Sequence, residues 1–308
     1  MEIQWAEPSL ELRRYVRGYR MQRARVQGEP LRYPFVASPN LILAFYFRNP
    51  YQVKFRDSGR QEPGLRAAIV APQVQCTMDL AISGDFEGFS ILFQPGGFYH
   101  LFGVPTWKVT GRVWDIAGVL GDKASLLEAG LAGVASFEDR IRVAEQFLLS
   151  YPATHLAGDS AGRRRASASN KPGKTREKTQ QIAHEVARMA GSHRVAELAQ
   201  AAGYSERQLE RLFLTELGMT PKLYARITRF QAALRAKLTG EGESWTDIAH
   251  RFGFYDQMHL VREFRSLGGA APTELIRQYG FIPAAMLPFP PESRNLTSHP
   301  AELSHKLS

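Results

Sequence analysis

Apolar positions change their spacing twice along the chain. Between residues 41 and 93 they fall in short runs. Leu41 to Phe47 is apolar and aromatic, Tyr51 to Arg56 alternates with period two, and Ala67–Val70, Met78–Ile82 and Phe89–Phe93 are further strand-length segments. Gly59, Gly64, Pro72, Gly84 and Gly88 separate them. Short alternating runs between turn residues predict an antiparallel sandwich or barrel. From about Val113 the period becomes helical. Ile116, Val119 and Leu120 open that stretch, Leu126, Leu127 and Leu131 continue it, and Ile141, Ala144, Phe147 and Leu148 share one stripe. The stripe has two readings, a dimer seam or a helix leaning on the sheet. Residues 1–151 therefore read as an α+β unit, a β-rich barrel followed by helices.

A second pattern, wholly helical, occupies residues 178–280. Its caps are legible. Ser205-Glu206-Arg207-Gln208 has the spacing of a capping box. Thr220-Pro221 places proline at the first helical position behind a hydroxyl. Ser244 precedes Asp247 in the same manner, and Asp256 is placed to cap another helix. Gly203, Gly218, Gly253 and Gly268 stand where helices end. The spacing predicts about seven helices, over 177–189, 195–202, 206–217, 221–238, 245–252, 257–266 and 272–279.

Between the two units, residues 152–177 read as a flexible basic linker. Leu156 is their largest apolar side chain, which builds no core, and Arg163, Arg164 and Arg165 form a triplet suited to phosphate. Residues 281–308, punctuated by Pro283, Pro288, Pro290, Pro291 and Pro300, read as a Pro-rich tail. The net charge is +9, and residues 151–178 carry +5 of it. That bias fits a polyanionic partner as well as a solvated linker. Apolar residues make up 44% of the 308 and charged residues 22%, which excludes global disorder and a rod. No apolar run is long enough to span a membrane, and no secretory signal is visible. One cysteine, Cys76, excludes an intramolecular disulfide and a Cys-rich zinc site. These features point to the cytoplasm.

Two segments of the helical unit share a layout. Leu198-Ala199 is followed by Gly203-Tyr204, and Ile248-Ala249 by Gly253-Phe254. Each then has a polar cap and a new helix. A short helix, a glycine turn and a second helix set across the first is the helix-turn-helix pattern. Leu209, Leu212 and Phe213 hold the second helix of the first unit to the core, as Leu260 and Phe264 do in the second. Arg207, Glu210 and Arg211 are left outward on the first, and Gln257, Met258 and Arg262 on the second. Arginine suits bidentate pairing with guanine and glutamine with adenine, while a methionine suits a thymine methyl. Glu210 opposes phosphate, so its place is in base selection or in orienting Arg207 or Arg211. Position 257 lies 50 residues after position 207. The repeat favours a DNA reader over a merely structural hairpin.

At these residues the chain resembles the AraC/XylS family of bacterial transcription regulators. Ser205 to Phe213, Gly218-Met219-Thr220-Pro221 with Tyr224 and Arg229, Ile248-Ala249, Gly253-Phe254, Asp256-Gln257, His259, Arg262 and Phe264-Arg265 carry the resemblance. It implies two helix-turn-helix units on a central helix, reading neighbouring major grooves of double-stranded DNA. The family's base-contacting positions fall on Arg207, Glu210, Arg211, Gln257, Met258 and Arg262. Two departures stand out: Ala271 replaces the usual serine before Pro272, and Glu274-Leu275-Ile276-Arg277 lacks the usual Tyr-Arg. More distantly, Phe89 to Gly103 is similar to sensor domains attached to this family. That likeness implies a cupin-like barrel that binds a small-molecule effector, dimerises, or does both. Arg66, Tyr99, His100 and Trp107 are candidate pocket residues.

Catalysis finds little support in the sequence. There is no Gly-rich phosphate loop, no GxSxG elbow and no HExxH. Residues 1–99 hold no histidine, whereas a cupin-type enzyme needs clustered ligands there. The reading is a sequence-specific transcription regulator, with no cofactor or metal, and with RNA polymerase and a second copy as further partners. A cupin-type enzyme or ligand-binding protein with an accessory DNA-binding domain is the alternative.

Overall fold

The computed structural model describes residues 2–49, 51–151, 172–191, 194–240 and 243–279. Residues 152–171 of the expected linker, including the arginine triplet, and the expected tail lie outside the described residues. The N-terminal half is one eight-stranded antiparallel sheet. Its strands are β1 (Glu2–Ala6), β2 (Val16–Pro34), β3 (Ile42–Tyr46), β4 (Gln52–Phe55), β5 (Gln61–Pro63), β6 (Ala67–Val70), β7 (Met78–Phe93) and β8 (Val113–Asp115). The order is β1-β2-β7-β3-β6-β8, with the β4–β5 hairpin on the far half of β7.

This corrects the expected cupin-like barrel. The sheet is open, because β1 pairs only with β2 and β8 only with β6. Two long strands replace barrel closure. β2 and β7 pair along most of their length, with an irregularity between Val26 and Leu31. Met78–Ile82 and Phe89–Phe93, expected as separate strands, are the two ends of β7. Gly84, at φ +65°, lets the chain pass without breaking the strand.

The two faces of the sheet have different partners. Tyr19, Met21, Leu43, Phe45, Ile69, Phe89 and Ile91 bury one face against four helices. These are α1 (Gly97–Phe102), α2 (Ile116–Leu120), α3 (Asp122–Ala132) and α4 (Phe137–Leu149). Ala144 and Leu148 are fully buried in this layer, with Ile141 and Phe147 packed beside them. The stripe on α4 therefore leans on the sheet. Gly97 shows why Gly-Gly opens α1: a β-carbon there would stand 2.0 Å from the Tyr15 carbonyl oxygen. Gly97→Ala is expected to cost about 1–3 kcal/mol through backbone displacement, read as a lower melting temperature.

Seven helices follow: α5 (Pro172–Arg188), α6 (Val195–Ala202), α7 (Glu206–Leu217), α8 (Pro221–Thr239), α9 (Trp245–Arg251), α10 (Gln257–Gly268) and α11 (Pro272–Tyr279). Their core is continuous with the second face of the sheet. Tyr51, Val53, Met78, Ile82 and Phe86 join Phe230, Phe264, Leu275 and Tyr279 in one buried cluster. Polar contacts fix the junction. The Ala37 N–H donates to Leu267 O at 2.9 Å, the Gln231 amide donates to Ala37 O at 3.0 Å, and the Tyr279 hydroxyl donates to Pro34 O.

Candidate nucleic-acid interface

Both helix pairs are built by the same local rules. In the first, Gly203 takes φ +72°, and the following Tyr204 N–H donates back to Ala199 O at 2.9 Å. In the second, Gly253 takes φ +69°, and the Phe254 N–H donates to Ala249 O at 2.9 Å. Ala199 and Ala249 are buried, which allows close helix approach. Ser205 then caps α7: its hydroxyl accepts from the Gln208 N–H at 3.3 Å, and the Gln208 side chain accepts from the Ser205 N–H at 2.9 Å. Asp256 caps α10 by accepting from the His259 N–H at 2.6 Å. His259 Nδ1 accepts from the Tyr255 N–H at 3.1 Å and fixes the turn before it. At the head of α9, the Ser244 hydroxyl and N–H hold the Asp247 carboxyl below its usual range.

Packing then decides which side of each second helix stays outside. Leu209, Phe213 and Leu217 bury α7, while Leu260, Phe264 and Leu267 bury α10. Phe264 meets Phe230 of α8 edge-on at 4.9 Å and Trp245 of α9 at 5.3 Å. Phe213 meets Tyr224 of α8 at 5.7 Å. Behind α10, Arg226 of α8 clasps Glu263 through two hydrogen bonds of 3.0 and 2.9 Å. The central helix α8 thus carries both units.

All six residues singled out from the sequence are exposed: Arg207, Glu210 and Arg211 on α7, and Gln257, Met258 and Arg262 on α10. Met258 is 60% exposed, an unusual place for a thioether with nothing to cover it. Among the described residues, Arg207, Arg211 and Arg262 form no ion pair, so their guanidinium groups are unspent. Glu210 forms none with either arginine of its helix. The sequence reading missed Tyr255, which is 91% exposed at the approach to α10. Its neighbour Phe254 fills the aromatic slot of the motif and is buried.

The N-terminal domain grips the tail of α7. His100 and Glu216 are both buried, with Nε2 and Oε2 3.0 Å apart. The Thr106 hydroxyl donates to Glu216 O at 2.8 Å. A β-carbon on Gly218 would strike Thr110 Oγ1, so the approach needs glycine there. Trp107, in the 3-10 turn Thr106–Lys108, is 54% exposed and shares a groove with Arg207, Glu210, Arg211 and Leu214. Of the four candidate pocket residues, then, Trp107 stands beside α7 and His100 is engaged by Glu216. Arg66 is exposed and Tyr99 half-buried. The structure does not bring the four together.

Comparison with known proteins places these observations. Residues 198–278 match a helix-turn-helix domain family, and residues 4–115 match a domain family of unknown function (DUF6597). The HTH-type transcriptional regulator YidL of Escherichia coli is 31% identical over 110 residues, 36% of this chain and 31% of that protein. The probable thc operon regulatory protein of Rhodococcus erythropolis is 36% identical over 91 residues, 28% of this chain and 27% of that protein. The matched stretch thus spans about a third or less of these relatives. A crystal structure of ToxT from Vibrio cholerae aligns at TM-score 0.42 and 10% identity, covering 84% of this chain and 97% of that one. Two capped helix pairs on one long helix define a tandem helix-turn-helix domain. The C-terminal part of the chain is similar to the helix-turn-helix domains of these transcriptional regulators.

No helix among the described residues is long and apolar enough to cross a membrane. Among the same residues, no group of three or more His, Cys, Asp or Glu side chains is arranged to hold a metal.

Proposed function

We propose that this protein is a sequence-specific DNA-binding transcription regulator of the bacterial cytoplasm. A small molecule bound by its N-terminal domain would govern it. α7 and α10 enter neighbouring major-groove segments. Arg207, Arg211 and Arg262 pair with guanine edges, Gln257 with adenine, Met258 with a thymine methyl, and Glu210 selects among bases. Helix N-termini and other basic side chains hold phosphates. The observation that carries this reading is the repeat itself: two turns of the same geometry, each leaving unpaired arginine on the exposed side of a capped helix. RNA polymerase and a second copy of the chain are the further partners of this reading.

The test is protection footprinting of the full chain on duplexes selected from random sequence. Two adjacent protected patches, each within one turn of the duplex, are expected. A single patch about one turn long removes the tandem reading.

Control passes through the contact on α7. α1 and the 3-10 turn hold Glu216, so a shift of the N-terminal domain reaches the first reading helix without relying on the linker. Glu216→Gln is expected to speed hydrogen exchange at the C-terminal end of α7 while the exchange of α10 stays unchanged. Equal acceleration in both helices would contradict a local grip.

A further inference from the structure

A helix that reads DNA nearly fills the major groove. The groove is about 12 Å wide, and an α-helix with its side chains is about 10–12 Å across. Whatever stands on the flank of such a helix, level with its reading side chains, therefore meets the sugar–phosphate wall. The 3-10 turn Thr106–Lys108 of the N-terminal domain stands there. Trp107 forms one wall of a groove whose other wall is the exposed side of α7, from Arg207 past Glu210 and Arg211 to Leu214.

The turn is fixed to α7 and travels with it. The Thr106 hydroxyl donates to Glu216 O at 2.8 Å, and the Thr110 hydroxyl donates in turn to Thr106 O at 3.0 Å. The Lys108 N–H closes the turn on Pro105 O at 3.0 Å. Gly218, just past the end of α7, lies so near that a β-carbon there would stand 3.0 Å from Thr106 Cγ2. DNA that engages α7 thus finds the turn already in place.

The groups that the turn exposes suit a polyanion. Trp107 is 54% exposed, and Lys108 is exposed beside it. The Lys108 ammonium lies 5.7 Å from the centroid of the Trp107 ring, a cation–π contact at the rim of the groove. Among the described residues, no carboxylate pairs with Lys108, and the Trp107 indole N–H has no acceptor. Across the groove stand the unpaired Arg207 and Arg211, and Glu210 is the one carboxylate among the lining residues. A turn that merely blocked the groove would need bulk alone. An unpaired ammonium and an unused indole donor match phosphate oxygens, and the flat apolar ring matches a sugar.

We infer that this turn of the N-terminal domain is a third DNA-binding element. Lys108 takes a phosphate of the backbone strand that flanks the segment read by α7, and Trp107 packs on the adjoining deoxyribose. The inference rests on the reading of α7 as a groove-reading helix. It makes the N-terminal domain part of the DNA footprint, where it adds affinity without sequence preference.

The test uses the full chain on a duplex selected from random sequence and on a scrambled one. Lys108→Gln is expected to weaken both by the same factor. It should also flatten the slope of log affinity against log salt by about 0.9, the share of one phosphate contact. Trp107→Ala is expected to lose hydroxyl-radical protection of one backbone stretch. That stretch should lie beside the patch weakened by Arg207→Ala, not beside the patch weakened by Arg262→Ala. Lys108→Gln keeps the test decisive even where Trp107→Ala disturbs the turn. The inference is overturned if both variants keep the affinity and salt slope of the unmodified protein. It is also overturned if either binds more tightly, which would make the turn an obstruction. In both cases, losses of preference in Arg207→Ala and Arg262→Ala leave the DNA-reading function standing. A protein that selects no duplex at all overturns the two together.

Discussion

Arg207→Ala combined with Arg262→Ala is expected to cut sharply the preference for a selected duplex over a scrambled one. A good bidentate contact contributes roughly 1–3 kcal/mol of discrimination. The two side chains sit on different helices, and distant contributions add. The double variant should therefore lose roughly thirty- to twenty-thousand-fold in affinity for the selected sequence. Binding to scrambled DNA, carried by phosphate contacts, should fall far less. The fold should survive, because both side chains are exposed and unpaired. Competition titration at one fixed salt concentration measures the difference. Equal losses on both duplexes would show that these arginines touch only the backbone.

The largest stability effect is expected at Glu87 of β7. Arg140 of α4 stands 2.6 Å from its carboxylate, with Arg23 at 3.3 Å and Arg48 at 3.7 Å. Arg140 is almost fully buried, over the ring of Phe47 at 3.7 Å from its centroid. Removing one member of a buried pair strands the other charge, at a cost of about 3–5 kcal/mol. Glu87→Ala should therefore destabilise the protein by that order in chemical denaturation. Replacing both Glu87 and Arg140 by methionine should restore most of the loss, because no charge is then left stranded. A double variant as unstable as the single one would locate the effect in packing.

The same pair sets a pH dependence. Burial alone would raise the Glu87 pKa, but the hydrogen bond and charge of Arg140, helped by Arg23, outweigh it and hold the carboxyl below its usual value. A depressed folded-state value means stability that is present above the unfolded pKa of about 4.3 and lost as pH falls below it. The Glu87 variants should show a shallower acid limb than the parent.

The C-terminal helices were legible because their signals are short-range. A capping hydroxyl and its N–H lie three residues apart, and the glycine turn and its return hydrogen bond span five. β2 was not legible for the opposite reason. Its run through Arg20, Arg23 and Arg25 looks too charged for a strand. Yet Arg23 faces Glu87 and Arg25 faces Asp85 across the β2–β7 register, partners 64 and 60 residues away. Without β2, the alternation that sends Arg20 to one face and Tyr19 and Met21 to the other could not be read. Closure of the sheet was equally hidden, because strand-length runs alone do not say whether the two end strands meet. Tyr255 was hidden too, since nothing in the turn pattern distinguishes a packed aromatic from its bare neighbour.

The buried cluster shared by Tyr51, Phe86, Phe230 and Tyr279 has a practical consequence for protein engineering. Cutting the chain between its halves would leave a bare greasy belt on each fragment, so neither piece is a safe module for chimeric switches. A graft of this DNA reader onto a foreign sensor must carry, or redesign, the aromatic residues of α8 and α11 that its original neighbour now keeps dry.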